Sequence, residues 1–186
     1  MLNDDMGESQ AKWVAYKPQK DEWVYNDGEI SETAMIAFIF DYKNIKAGWG
    51  KVQAGASPEY KWREDLTKPD PKPSDEHKAA RSVDLYFNHD HLKGVYSWTT
   101  NGWWPGTGIN EIYQLIINDA QGDKLPVLKY TGSEEKKFSM GSSRIPRFEI
   151  LKWVDRPADW PAEIVVEVAP ETAPVAEEKP EDTIPF

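Results

Sequence analysis

No cysteine occurs anywhere in the 186 residues. That excludes disulfides, thiol catalysis and thiolate metal ligands, and it is compatible with a reducing compartment. No run is long or apolar enough to cross a bilayer, and the polar start MLNDDMGESQ has no signal-peptide core. The expectation is a soluble, cytoplasmic protein with no membrane partner. Hydrophobic residues make up 39% of the chain, enough for one core but thin for the whole length, so part of it is expected to stay outside the fold. A basic excess is also missing. The net charge is −10, but the two ends account for −3 (residues 1–10) and −6 (residues 161–186), which leaves the body at −1. A near-neutral body is free to present a basic face.

What is there divides into three parts. Residues 1–10 read as a flexible start and 11–160 as one domain. Residues 161–186, rich in Pro, Ala, Val and Glu, read as a disordered acidic tail that cannot bury enough surface to offset its ordering entropy. Residues 57–80, with Pro58, Pro69, Pro71 and Pro73, read as a long loop.

Within the body, strand signals dominate. Residues 34–42 (AMIAFIFDY) form a continuous apolar run suited to a central strand, with 48–53 as its partner. Residues 81–88 alternate cleanly and 94–100 follow a short polar turn, which predicts a hairpin. Ile109, Ile112, Ile116 and their neighbours recur at helical spacing, with Thr107 or Asn110 as cap and Gly122 as stop. Residues 125–131 and 147–154 read as the last strands, separated by a polar, mobile-looking 132–143. Strands, one helix, then two strands is the order of an OB-fold-like barrel, with 48–53 as an extension. A β-sandwich with one helix reads almost the same.

Nine tryptophans exceed what one small core needs. Trp49 lies in AGWGKV, Trp62 in YKWRE, and Trp103 and Trp104 in NGWWPGTG, read as a turn; Tyr96 and Trp98 share one face of their strand. Exposed rings beside cations suit single-stranded nucleic acid, because each base offers a flat face to stack and each phosphate needs a positive charge. The candidate groupings are Lys46-Trp49-Lys51, Tyr60-Lys61-Trp62-Arg63 and Arg144-Arg147-Phe148-Lys152. No helix-turn-helix, zinc finger or basic recognition helix is present, which favours single strands over duplex. An enzyme is not expected: there is no nucleophile elbow, no phosphate-cradling glycine motif and no justified carboxylate pair. His89-Asp90-His91 is the one metal-like grouping, but it falls in a hairpin turn where polar residues belong. No cofactor is expected. A carbohydrate-binding module and a protein adaptor are the alternatives.

The chain closes on EDTIPF. Glu181 and Asp182 precede Ile184, Pro185 and Phe186, which together make a portable acidic ligand with an apolar tip. This ending resembles the acidic Ile-Pro-Phe tip of bacterial single-stranded DNA-binding proteins. Asp182, Ile184, Pro185 and Phe186 match, while Thr183 stands where that family usually has a third acid. The resemblance implies an OB-fold body that binds the strand, and a tip that recruits DNA replication, recombination and repair proteins. The longer body looks like a divergent phage-type member, in a bacterial or phage-infected host cell. A homo-oligomer is compatible with this reading.

Overall fold

The computed structural model describes residues 12–26, 28–31, 35, 37–65, 68, 70–101, 103–139 and 141–160, with the backbone alone for 28, 29 and 103–107. The expectations for residues 1–10 and for the acidic tail with its tip lie outside the described residues.

The protein is mainly β. Its strands are β1 (Trp13–Lys17), β2 (Glu22–Tyr25), β3 (Gly28–Ile30), β4 (Phe38–Phe40), β5 (Lys46–Lys51), β6 (Glu59–Trp62), β7 (Lys78–Asn88) and β8 (Lys93–Asn101), followed by the helix α1 (Trp103–Ile117), β9 (Leu125–Phe138) and β10 (Gly141–Val154). They form one sheet, curled into a half-barrel, in the order β10-β9-β4-β7-β8-β1-β2-β3. β5 and β6 branch off this path: β5 pairs with β7 beyond the end of β4, and β6, among the described residues, pairs with β5 alone. This two-strand branch is called the wing below. Among the described residues, no helix is long and apolar enough to cross a membrane.

β7 organises the core. Its alternation sends Val83, Leu85 and Phe87 to one side, and the expected hairpin with β8 places Trp98 opposite Val83 and Tyr96 opposite Leu85. Phe38 and Phe40 of β4 and Leu128 of β9 join the same core, as do Ile109, Ile112 and Ile116, which share one helical face. Trp23 of β2 is its aromatic centre, with ring centroids 5.1 Å from Tyr16, 5.2 Å from Trp98 and 5.9 Å from Tyr130. Each such pair adds roughly 0.5–1.5 kcal/mol to the burial of the rings.

Several local expectations are corrected. Among the described residues of the run 34–42, only Phe38–Phe40 form a strand, β4, after which the chain bends into a 3-10 turn at Tyr42–Asn44. β4 does sit centrally, between β9 and β7, but its partner is not 48–53, which pairs instead with β6 and β7. The stretch read as a loop over 57–80 holds β6 and the start of β7. The helix begins at Trp103, so Thr107 and Asn110 lie inside it rather than at its cap. Pro105 is tolerated there because first-turn N–H groups have no intrahelical acceptor to lose. The polar segment 132–143 is a two-stranded ribbon of β9 and β10, not a mobile loop. It is polar because it projects past the core. β1 to β3 went unread in the sequence.

The half-barrel is tied across its open side by one carboxylate. Asp21, in the turn between β1 and β2, accepts hydrogen bonds from Tyr16 Oη (2.6 Å) and Ser133 Oγ (2.5 Å) and lies 3.4 Å from Arg144. After β10 the chain folds back. Arg156 pairs with the buried Asp41 at 2.8 Å and lies over the Trp160 ring, which stacks on Tyr86 at 5.6 Å.

Candidate nucleic-acid interface

The wing is built on the sequence KAGWGK of β5. Strand alternation puts Lys46, Gly48 and Gly50 on one face, and Ala47, Trp49 and Lys51 on the other. β6 is registered so that Trp62 stands opposite Gly48 and Tyr60 opposite Gly50. The glycines are required by close approach. A Cβ at position 48 would lie 2.1 Å from the Lys61 carbonyl oxygen, and one at position 50 would lie 2.8 Å from the Tyr60 ring. Bare backbone thus lies against the Tyr60 ring at Gly50 and against the β6 backbone at Gly48. Tyr60 and Trp62 stack parallel, 5.2 Å between centroids and 10° between planes. Burial raises the Tyr60 phenol above its ordinary pKa, so it stays neutral.

Cations border the rings on this face. Lys46 is exposed on β5, and Lys78, also exposed, stands opposite Gly50 on β7. Asn101 closes the far side: its Oδ1 is buried without a hydrogen-bond partner among the described residues, 2.9 Å from where a Cβ on Gly50 would sit.

Asp70 and Glu76 meet the reverse face. Trp49 Nε1 donates to the Asp70 carbonyl at 3.0 Å, and Lys51 pairs with Glu76. Arg63 donates to the Lys68 carbonyl, while Lys61 is exposed at the edge. A cavity of about 280 Å³ opens here, where Lys61, Arg63 and Lys68 meet Glu64, Asp65 and Asp70.

Seven of the residues singled out from the sequence, Lys46, Trp49, Lys51, Tyr60, Lys61, Trp62 and Arg63, therefore come together on the wing. The others do not join them. Tyr96 (7% exposed) and Trp98 (2%) are core residues, which corrects their assignment as stacking platforms: their shared strand face is the one that packs inward. Arg144 is committed to Asp21, and Arg147 to Glu111 and Glu134, so β10 carries no open basic stripe at these positions. Phe148 packs against the core, and Lys152 is exposed beside a separate groove formed with Ile39, Tyr86 and Pro157. Trp103 and Trp104 occupy the first turn of α1 rather than a turn between strands, and their side chains lie outside the described residues. Sequence reasoning missed Lys78, Arg81 and Asn101. The alternation of 81–88 extends back through KAA, and that was the available signal. His89 and His91 have ring centroids 6.0 Å apart, and no group of three metal-binding side chains exists among the described residues.

No family model, no curated protein and no solved structure matches this chain.

Proposed function

We propose that the protein binds single-stranded DNA on the wing, as a non-enzymatic protein with an OB-type barrel, and recruits replication, recombination or repair proteins through its acidic tail. One observation carries the reading: the parallel Tyr60–Trp62 pair opposite Gly50 and Gly48, with Lys46 and Lys78 on its face and Lys61 at the wing's edge. A parallel ring pair presents a π-face on which a base continues the stack, at roughly 1–3 kcal/mol per base. The lysines stand where the phosphates of that strand pass. Stacking is indifferent to base identity, so little sequence preference is expected.

The acidic arm, residues 161–186, lies outside the described residues and enters from its sequence alone. Its root follows Trp160, which stacks on Tyr86. Alternation puts Tyr86 on the same face of β7 as Lys78, about 26 Å away along the strand. A flexible chain as long as the arm spans roughly 25–30 Å. The arm therefore competes with phosphates for the lysines, and DNA releases it to partners.

Titrating tryptophan fluorescence with oligo(dT) at several KCl concentrations tests the reading. Quenching that weakens steeply with salt, and a loss of roughly 5- to 150-fold in Trp62→Ala, is expected. Trp62→Ala binding as tightly as the wild type refutes the wing as the interface.

A further inference from the structure

Arg63 and Arg81 flank one small residue. Arg81 of β7 is the register partner of Ala47, and the Arg63 amide donates to the Ala47 carbonyl at 2.9 Å from the other side. The two arginines thus stand in one row on either side of β5, about 10 Å apart at the backbone. Ala47 between them carries only a methyl group, so two long side chains can lean together over it. Burial and then the like charge of Arg63 lower the Arg81 pKa. Among the described residues no carboxylate pairs with Arg81, whose one described hydrogen bond goes to the Ala80 carbonyl at 3.1 Å. The row ends at Thr100, the partner of Arg81 on β8, which is 6% exposed and whose Oγ1 has no hydrogen-bond partner among the described residues.

Holding two like charges together, one of them partly buried and without a counter-charge among the described residues, costs free energy that an anion would recover. A guanidinium fork matches the oxygens of a tetrahedral phosphate in pairs, and a hydroxyl adds a further donor. We propose that Arg63 and Arg81, with Thr100 at the end of their row, form a seat for a phosphate-type oxyanion. A backbone phosphodiester is one source and free phosphate or pyrophosphate the other. The first rests on the single-strand reading above: β6 is the edge of the wing, and a strand stacked on Tyr60 and Trp62 reaches the seat by rounding that edge past Lys61.

Two arms of one experiment separate the sources. In the first, the thermal midpoint of the full chain is followed with pyrophosphate against KCl of equal ionic strength. The expected rise is about 3 °C at a tenfold excess over the dissociation constant, and it is absent in Arg81→Met and in Arg63→Gln. In the second, the slope of log affinity for oligo(dT) against log salt falls by about one in the same variants. A midpoint rise without a slope change assigns the seat to free phosphate. No rise and no slope change overturns it. If the wild type fails to bind oligo(dT), the single-strand reading falls while the pyrophosphate arm still decides the seat. If Arg81→Met does not fold, Arg63→Gln and the wild-type titration decide it.

Discussion

The two glycines of β5 should respond differently to the same methyl group. At Gly48 the added Cβ meets the Lys61 carbonyl oxygen at 2.1 Å and Trp62 Cα at 2.9 Å, both backbone atoms of β6. No rotamer change relieves that overlap, so the whole of β6 must move away from β5, the strand it pairs with. At Gly50 the obstacles are the Tyr60 ring at 2.8 Å and Asn101 Oδ1 at 2.9 Å, both ends of side chains that can rotate aside. Overpacking costs typically 1–3 kcal/mol, and Gly48→Ala belongs at the upper end, near ~3 kcal/mol. Gly50→Ala should cost about 1 kcal/mol or less, because the alanine also gains from a less flexible unfolded chain. Moving the Tyr60 ring nevertheless breaks the stacked pair, and the loss of one base platform weakens oligo(dT) binding by roughly 5- to 150-fold.

Urea midpoints and oligo(dT) titrations at one fixed salt concentration, run on both variants, give the comparison. The expected pattern is a destabilised Gly48→Ala and a folded but weakly binding Gly50→Ala. A Gly48→Ala protein with the wild-type midpoint would mean that β6 does not lie against bare backbone. The account of the wing would then be wrong.

Three further outcomes follow from the rest of the molecule. Hydrogen bonds from Ser133 and then Tyr16, with Arg144 nearby, hold the Asp21 pKa below the usual carboxylate range. A depressed pKa contributes stability that is present above about pH 4 and lost as pH falls through the folded value. Asp21→Asn should flatten that acid limb in urea midpoints taken from pH 3 to 7, and cost about 1 kcal/mol at neutral pH, since the exposed site is screened. Asp41→Ala leaves the Arg156 guanidinium mostly buried without its carboxylate, and should lose ~3–5 kcal/mol together with amide-exchange protection near Trp160. Trp98→Ala should lose ~3–5 kcal/mol of stability, while the folded fraction binds oligo(dT) as the wild type does.

Period carried much of the fold in the sequence. Residues 81–88 and 94–100 alternate because one face is buried, and Ile109, Ile112 and Ile116 share a helical face for the same reason. Where burial does not dictate the pattern, the reading failed. The ribbon of 132–143 has no apolar face, so it resembles a loop, although backbone pairing and polar ties from Ser133 to Asp21 and from Glu134 to Arg147 hold it. The run 34–42 looked like one long strand because hydrophobicity does not reveal a bend. At the candidate site, the tryptophans of the wing were legible from flanking glycines and lysines. Trp98 was not separable from them, because a strand in a curled sheet gives no sign of which face is inside. Lys78 was hidden by the prolines before it, which drew the boundary of β7 too late.

β7 joins these parts through its alternation. The face that buries Val83, Leu85 and Phe87 continues back to Arg81, so the apolar row ends in a guanidinium where the barrel gives way to the wing. The opposite face carries Lys78, Ala80 and Ser82, small or flexible residues beneath the wing, then Asp84 and finally Tyr86 under Trp160. A one-residue slip of β7 against β8 would send Arg81 to the outer face and bring Ser82 and Asp84 to the core. The hydrophobic core therefore enforces the register that sets Lys78 beside the ring pair and Arg81 beside Arg63. A wing made of two short strands has too few partners to fix that geometry alone. It inherits its precision from a strand whose other half cannot move without exposing Leu85 and Phe87.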